Sequence, residues 1–330
     1  MNKKIFLIIG GSMFLLACGL ISFSQVVPTS VPTSTLIFTA TPEFHSQPEI
    51  ATNTPVLPTP SPLPAEPVLV FQGPDTVIVP ILLYHHIDVS LTDSQYYVPP
   101  DEFENQMKLL REWGYTTIST ELLVKAITEG AYLPPRPLLI TFDDGQLSNY
   151  TAAFPIMQKF GFTGVLYIVG SYMGAPEFMN ADQIKEMASA GWEVGSHSMK
   201  HLDLTQLDPE VQHYEIAESR SFLESKLGVP VLTFAYPFGL ISPAILDYTY
   251  SAGYIAGMGL GPTTAQIKPN LFALQRREIH SSYDLKRFAS FLPWQGDPIY
   301  LPTDTPTPST TPSRTPIPTY TLFPTSTSSN

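Results

Sequence analysis

Asp143 and Asp144 close the apolar run Leu138-Leu139-Ile140-Thr141-Phe142 and are followed by Gly145. Pro134, Pro135 and Pro137 bound that run upstream, which marks a short strand buried on both faces. Charge is costly beside such a strand unless a cation or hydrogen bonds compensate it. Neighbouring residues at a strand end point to opposite sides, so the two acids can hold different tasks, one ligating a metal and the other moving protons. Gly145 permits a sharp turn or the close approach of a ligand. Asp-Asp-Gly is also ordinary turn chemistry, so the pair acquires meaning only from its company.

That company sits at other run ends. His197 and His201 follow Trp192–Gly195 in G-S-H-S-M-K-H. Their i, i+4 spacing puts both imidazoles on one face if the segment makes a helical turn. Two histidines and one carboxylate form a ligand set for zinc or a similar divalent ion, with positions left open for water and substrate. His85 and His86 end the first apolar run, and a histidine there could protonate a leaving group or simply be a satisfied edge residue. Phe234 to Gly239, F-A-Y-P-F-G, could line a groove for sugar rings, although such residues usually pack in a core. Arg276 and Arg277 end a further run beside Glu278. One of them could orient a carboxylate by a bidentate contact, and a surface ion pair is the competing reading. His213 and His280 read as structural or exposed, and His45 falls in a Pro/Thr-rich segment.

These positions need a frame that gathers strand ends. Strands are expected at 77–84 (interrupted by Pro80), 115–118, 138–142, 164–169, 192–195, 231–236, 254–258 and near 274–279. Helices are expected at 100–113, 121–128, 149–160, 181–190, 209–227, 243–252 and near 285–291. Gly228 and Pro230 close the longest of them. Strand and helix alternate roughly seven times, which implies a parallel sheet with helices outside, open or closed into a barrel. Either way, ligands bind at the carboxyl ends of the strands.

The ends of the chain differ from its body. Lys3 and Lys4 precede an apolar run from Ile5 to Leu16, the pattern of an export signal. The run closes in Leu15-Leu16-Ala17-Cys18, similar to a lipoprotein cleavage site with Cys18 as the lipidated residue. An uncleaved anchor is the alternative, and both readings export the protein. Cys18 is the only cysteine, so the body holds no disulfide and no cysteine nucleophile. Residues 1–18 are therefore read as the signal and 19–67 as a Pro/Thr/Ser-rich disordered linker. Residues 68–300 are read as the catalytic domain and 301–330 as a similar disordered tail. An extended linker of roughly 40 residues could span on the order of 120 Å. The formal net charge of −12 argues against nucleic acid, which is bound through basic contacts to phosphate, and suits a neutral polymer better than an anionic one.

Taken together, T-F-D-D-G, H-S-x-x-H and F-A-Y-P-F-G resemble the polysaccharide deacetylases of carbohydrate esterase family 4, the NodB homology domain, over residues 75–295. The leading I-L-L-Y-H-H-I looks like the branch that includes poly-N-acetylglucosamine deacetylases. The resemblance implies an α/β fold, an irregular (β/α) barrel of about seven parallel strands. Carried over by position, it implies Asp143 as general base and His85 as general acid. Asp144, His197 and His201 become ligands of a divalent metal, zinc first, with cobalt, nickel and manganese as alternatives. Phe238 takes the place of a tyrosine whose backbone amide serves an oxyanion hole, next to Tyr236. The chain departs from the family pattern at Ala235, where many members carry arginine, and it lacks the usual late aspartate motif. Arg276 is the nearest residue that could tune Asp143.

The expected reaction is metal-assisted removal of N-acetyl groups from an acetylated polysaccharide at the cell surface, giving acetate and a free amino sugar. O-deacetylation of xylan or another glycan and a catalytically silent glycan-binding protein are the competing expectations. An intact acid pair and histidine pair weigh against the silent protein, because binding alone has no need of a general base.

Overall fold

The structure is a computed structural model that describes residues 68–296. The expected signal, Cys18, the linker, the tail and residues 297–300 lie outside the described residues.

Seven strands deliver the body of the fold: β1 (Ile81–Tyr84), β2 (Pro137–Phe142), β3 (Val165–Ile168), β4 (Glu193–Ser196), β5 (Val231–Ala235), β6 (Ala256–Leu260) and β7 (Leu274–Glu278). Each lies parallel to the next in chain order, and β7 and β2 both pair with β1, so the sheet closes on itself. This is the expected seven-stranded (β/α) barrel. A two-residue strand at Thr116–Thr117 adds to the outside of β2. Pro80 divides the single strand expected over 77–84 in two. Thr76–Ile78 turns away to pair antiparallel with Ala265–Ile267, and Ile81 starts the barrel, as a residue without a ladder N–H dictates. Val70–Gln72 and Ala131–Leu133 form a second small antiparallel pair that the periodicity does not announce.

Helices pack around the barrel: α1 (Pro100–Glu112), α2 (Thr120–Thr128), α3 (Phe154–Phe160), α4 (Ala181–Ser189), α5 (Pro209–His213), α6 (Ser219–Leu227), α7 (Pro243–Ser251) and α8 (Leu285–Ala289). The long helix expected over 209–227 is α5 and α6 joined through a π-helical turn at Tyr214–Glu218. A second π-helical turn, Asn149–Ala153, leads into α3.

Strand parity separates two cores. Leu138, Ile140 and Phe142 of β2 and Leu166 and Ile168 of β3 join the cluster beneath the helices. Leu139, Val165, Tyr167, Ala256, Met258 and Leu274 fill the barrel with Ile81. Successive strand residues face opposite sides, so residues two apart share a face. Reading that parity up each strand puts Asp143 after Leu139 and Thr141, His85 after Ile81 and Leu83, and Arg276 and Glu278 after Leu274. Gly195, two residues before His197, makes room for the filling: a Cβ there would lie 2.3 Å from the Tyr167 ring.

Candidate active site

The inward residues of four strands meet at the carboxyl rim of the barrel. Asp143 is 2% exposed and Arg276 1%. The Arg276 guanidinium donates from Nη1 to Asp143 Oδ1 (2.6 Å) and from Nη2 to Oδ2 (2.8 Å), the bidentate geometry that suits arginine to carboxylates. Arg276 Nε also donates to the Gly259 carbonyl (3.2 Å), and Nη1 to the Thr141 hydroxyl (3.3 Å). Burial alone would raise the Asp143 carboxyl, but the Arg276 guanidinium beside it outweighs burial and holds the group at about 2. Asp143 is therefore ionised at neutral pH. The role left open for Arg276 by the missing late motif is matched here by direct contact.

Asp144 does not point away from Asp143 as simple strand alternation predicts. The strand ends at Phe142, and Asp144 takes a left-handed backbone (φ 71°), with Gly145 left-handed after it (φ 80°). Both acids therefore reach one histidine. His197 Nε2 lies 3.6 Å from Asp143 Oδ2 and 3.7 Å from Asp144 Oδ1. His201 Nε2 lies 3.6 Å from the same Asp144 oxygen. A helical turn does not create this arrangement, since residues 197–201 form an irregular loop with Ser198 at φ 68° and His201 at φ 57°. The imidazoles meet all the same, with ring centroids 4.8 Å apart.

This loop is tied at every step. The His197 amide donates to the Ile168 carbonyl (2.9 Å). Gly170 and Ser171 donate to the carbonyls of Ser198 (3.0 Å) and Met199 (2.8 Å). The His201 amide donates to Ser198 Oγ (2.8 Å). The register between β4 and β5 slips by one residue near Ser196, a bulge of the kind that re-aims side chains beside active sites. Past it, the Ala235 carbonyl lies 2.8 Å from His197 Nδ1. A carbonyl only accepts, so Nδ1 carries the proton and Nε2 presents its lone pair.

One ligand atom each from Asp144, His197 and His201 lies within 4.8 Å of the others. Two imidazole nitrogens and one carboxylate oxygen at this spacing fit a divalent ion. His201 suits that task further: burial, then the neighbouring His197, lowers its affinity for a proton, against the pull of Asp144 and Asp143.

Across the cavity, His85 packs on Tyr96 with ring centroids 4.9 Å apart. Its Nδ1 is buried without a hydrogen-bond partner, with Glu278 Oε1 at 4.0 Å. The other oxygen of Glu278 pairs with His280 Nε2 at 2.7 Å. His280 is thus partnered to the site and not merely exposed. Glu278 escaped the sequence reading, yet its signal was present: it stands two residues after Arg276 and so shares its inward face. His86 stacks on Tyr97 at 3.9 Å, and burial lowers its proton affinity.

The aromatic segment divides. Phe238 is left-handed (φ 59°), 58% exposed, and packs its ring edge-on to His201 at 4.6 Å. Tyr236 borders the cavity but donates its hydroxyl to the Phe272 carbonyl (2.8 Å) and packs on Phe234. Its side chain supports the strand and is committed away from a substrate. The resulting cavity measures about 380 Å³ and is lined by His85, Tyr96, Asp143, His197 and Phe238 among others.

Residues 131–257 match the family model described as polysaccharide deacetylase. A Bacillus subtilis (strain 168) protein with a provisional polysaccharide deacetylase name is 29% identical over 214 residues, which cover 65% of this chain and 76% of that protein. A poly-beta-1,6-N-acetyl-D-glucosamine N-deacetylase of Staphylococcus aureus is 26% identical over 179 residues, 50% of this chain and 61% of the relative. Among solved structures, a Streptococcus pyogenes deacetylase in complex with acetate superposes with a TM-score of 0.61 at 25% identity, covering 69% of this chain and 99% of that one. A polysaccharide deacetylase from Bacillus cereus gives a TM-score of 0.59 at 29% identity, covering 66% and 69%.

Proposed function

Since the chain belongs to the polysaccharide deacetylase family, we propose that it is a metal-dependent N-deacetylase of N-acetylglucosamine polymers. The observation that carries this reading is the junction of two carboxylate tasks on one rim. Asp143 is gripped by Arg276 and Asp144 faces two imidazoles, with His85 opposite. The similarity to a poly-beta-1,6-N-acetyl-D-glucosamine N-deacetylase supports the polymer, and so does the acidic balance of the chain, which disfavours anionic substrates.

Asp144, His197 and His201 would hold the ion, zinc being our first choice. When bound, it would supply Lewis-acid polarisation and acidify water. Asp143, kept ionised by Arg276, accepts the proton of the attacking water. The backbone amide of Phe238 donates to the oxygen that gains charge as the acetyl carbon becomes tetrahedral. His85 delivers a proton to the departing nitrogen as the C–N bond breaks. Water is consumed, and acetate and a free amine are formed. Glu278 keeps a carboxylate oxygen 4.0 Å from His85 Nδ1.

Acetate release by the purified protein tests the proposal, with β-1,6- and β-1,4-linked N-acetylglucosamine oligomers, peptidoglycan and acetylxylan as substrates. Chelator-sensitive release from a glucosamine polymer is expected. Release confined to acetylxylan would replace the amide reading by an ester one, and release unaffected by exhaustive metal removal would overturn the metal. We infer in the same way that the protein is exported and held at the cell surface by lipid on Cys18.

A further inference from the structure

A buried carboxylate outside the cavity bears on the same site. Glu215 is fully buried, and its Oε1 has no hydrogen-bond partner among the described residues. Its Oε2 accepts the backbone N–H of Lys200 at 2.7 Å. Lys200 lies inside the loop that carries His197 and His201, directly before His201. A half-satisfied buried carboxylate is costly, and this one spends its single hydrogen bond on that loop.

The helix is shaped to put it there. Glu215 belongs to the π-helical turn Tyr214–Glu218, a distortion often found near functional sites. The Ile216 carbonyl within the turn accepts from the hydroxyls of Tyr254 (2.9 Å) and Ser219 (2.9 Å). Ser219 Oγ also lies 2.7 Å from Ser196 Oγ, and Ser196 is the last residue of β4, next to His197. The turn is thereby locked to the strand that launches the loop. On one side Gly170 and Ser171 hold the carbonyls of Ser198 and Met199, and on the other Glu215 holds the amide of Lys200.

On the ligand set proposed above, we infer that Glu215 is a positioning residue for the metal site. It fixes where His201 presents Nε2 by clamping the Met199–Lys200 peptide, one residue upstream. It touches neither metal nor substrate, and its effect passes through the loop backbone. Positioning partners of this kind typically contribute 10–100-fold to metal affinity.

The test is zinc affinity of the full chain by chelator competition, alongside thermal melting and hydrogen exchange of the metal-free protein. Glu215→Gln keeps an acceptor oxygen and should bind zinc as tightly as the parent. Glu215→Leu should weaken zinc binding by about tenfold or more and speed exchange at the Lys200 amide in the metal-free protein. Should the leucine variant fail to fold, Glu215→Asp, one methylene shorter, should bind zinc more weakly than the parent and speed exchange at the Lys200 amide. Zinc affinity equal to the parent in a folded Glu215→Leu or Glu215→Asp protein overturns the inference. A parent that binds no zinc overturns the ligand set instead. Exchange then judges the clamp alone, and unchanged Lys200 protection in the leucine or aspartate variant overturns that as well.

Discussion

Asp143 and Arg276 act as one unit. Both are buried, and each satisfies the other's charge. Replacing one leaves an unpaired buried group, which typically costs about 3–5 kcal/mol, whereas replacing both by uncharged residues can be nearly neutral. Asp143→Asn is therefore expected to melt well below the parent and Arg276→Met likewise, while the double variant recovers much of that loss. Activity should not follow stability. Removing a positioned base costs on the order of 10²–10⁴-fold in turnover, so the double variant should be folded and nearly inactive. Recovery of acetate release together with the melting temperature would show that Asp143 is structural. The residues at this scale were largely legible, because strand parity and motif spacing point at the same carboxylates and imidazoles. Backbone handedness was not. Seven non-glycine residues among those described have positive φ, of which Asp144, His201 and Phe238 line the cavity and Ser198 lies in the loop that carries His201. Such conformations cost of order 1–3 kcal/mol each, and only the surrounding ties reveal them.

At the scale of elements, α2 is pinned to β4 at the foot of the barrel. The Thr120 amide donates to Glu193 Oε1 (2.9 Å), and the Thr120 hydroxyl donates to Oε2. Burial raises the Glu193 carboxyl above its ordinary range, partly offset by the Thr120 hydrogen bonds. A raised carboxyl binds more protons folded than unfolded across that window, so stability from this group is present at low pH and falls as pH rises through the folded value. Glu193→Gln keeps an acceptor and removes the charge. Its melting temperature relative to the parent should therefore rise between pH 4 and pH 7, and a difference constant across that range would sink the assignment. The alternation of elements announced a parallel sheet with helices outside, and the family resemblance closed it into a barrel, while the finer breaks did not follow from periodicity. Pro80 splits a strand through its missing N–H, and the π-helical turn in the 209–227 helix depends on hydroxyls of Tyr254 and Ser219, the first of them distant in sequence. The spacing of His197 and His201 would put them on one face if residues 197–201 made a helical turn, yet contacts from Gly170, Ser171 and Glu215 hold the segment on an irregular path.

At the scale of the whole molecule, a compact hydrolase body lies between two Pro/Thr-rich sequences, and no helix among the described residues is long and apolar enough to cross a membrane. Surface retention on our reading depends on Cys18. Cys18→Ser should abolish incorporation of labelled fatty acid and release the protein from the membrane fraction, while acetate release from soluble oligomers stays at the parent level. Retention of the serine variant in that fraction would favour an uncleaved anchor. The barrel itself sets a rule for how such chains can change length. Its working residues sit at alternate positions on strands that end at one rim, so a single added residue within β2 would turn Asp143 outward and put Phe142 in its place on the inner face. Strand indels should be tolerated only in pairs, or where the surplus residue bulges as it does between β4 and β5. The connecting loops at the opposite end of the barrel carry no such restriction. Drift in this fold can thus be rapid away from the rim and must count by twos within the strands.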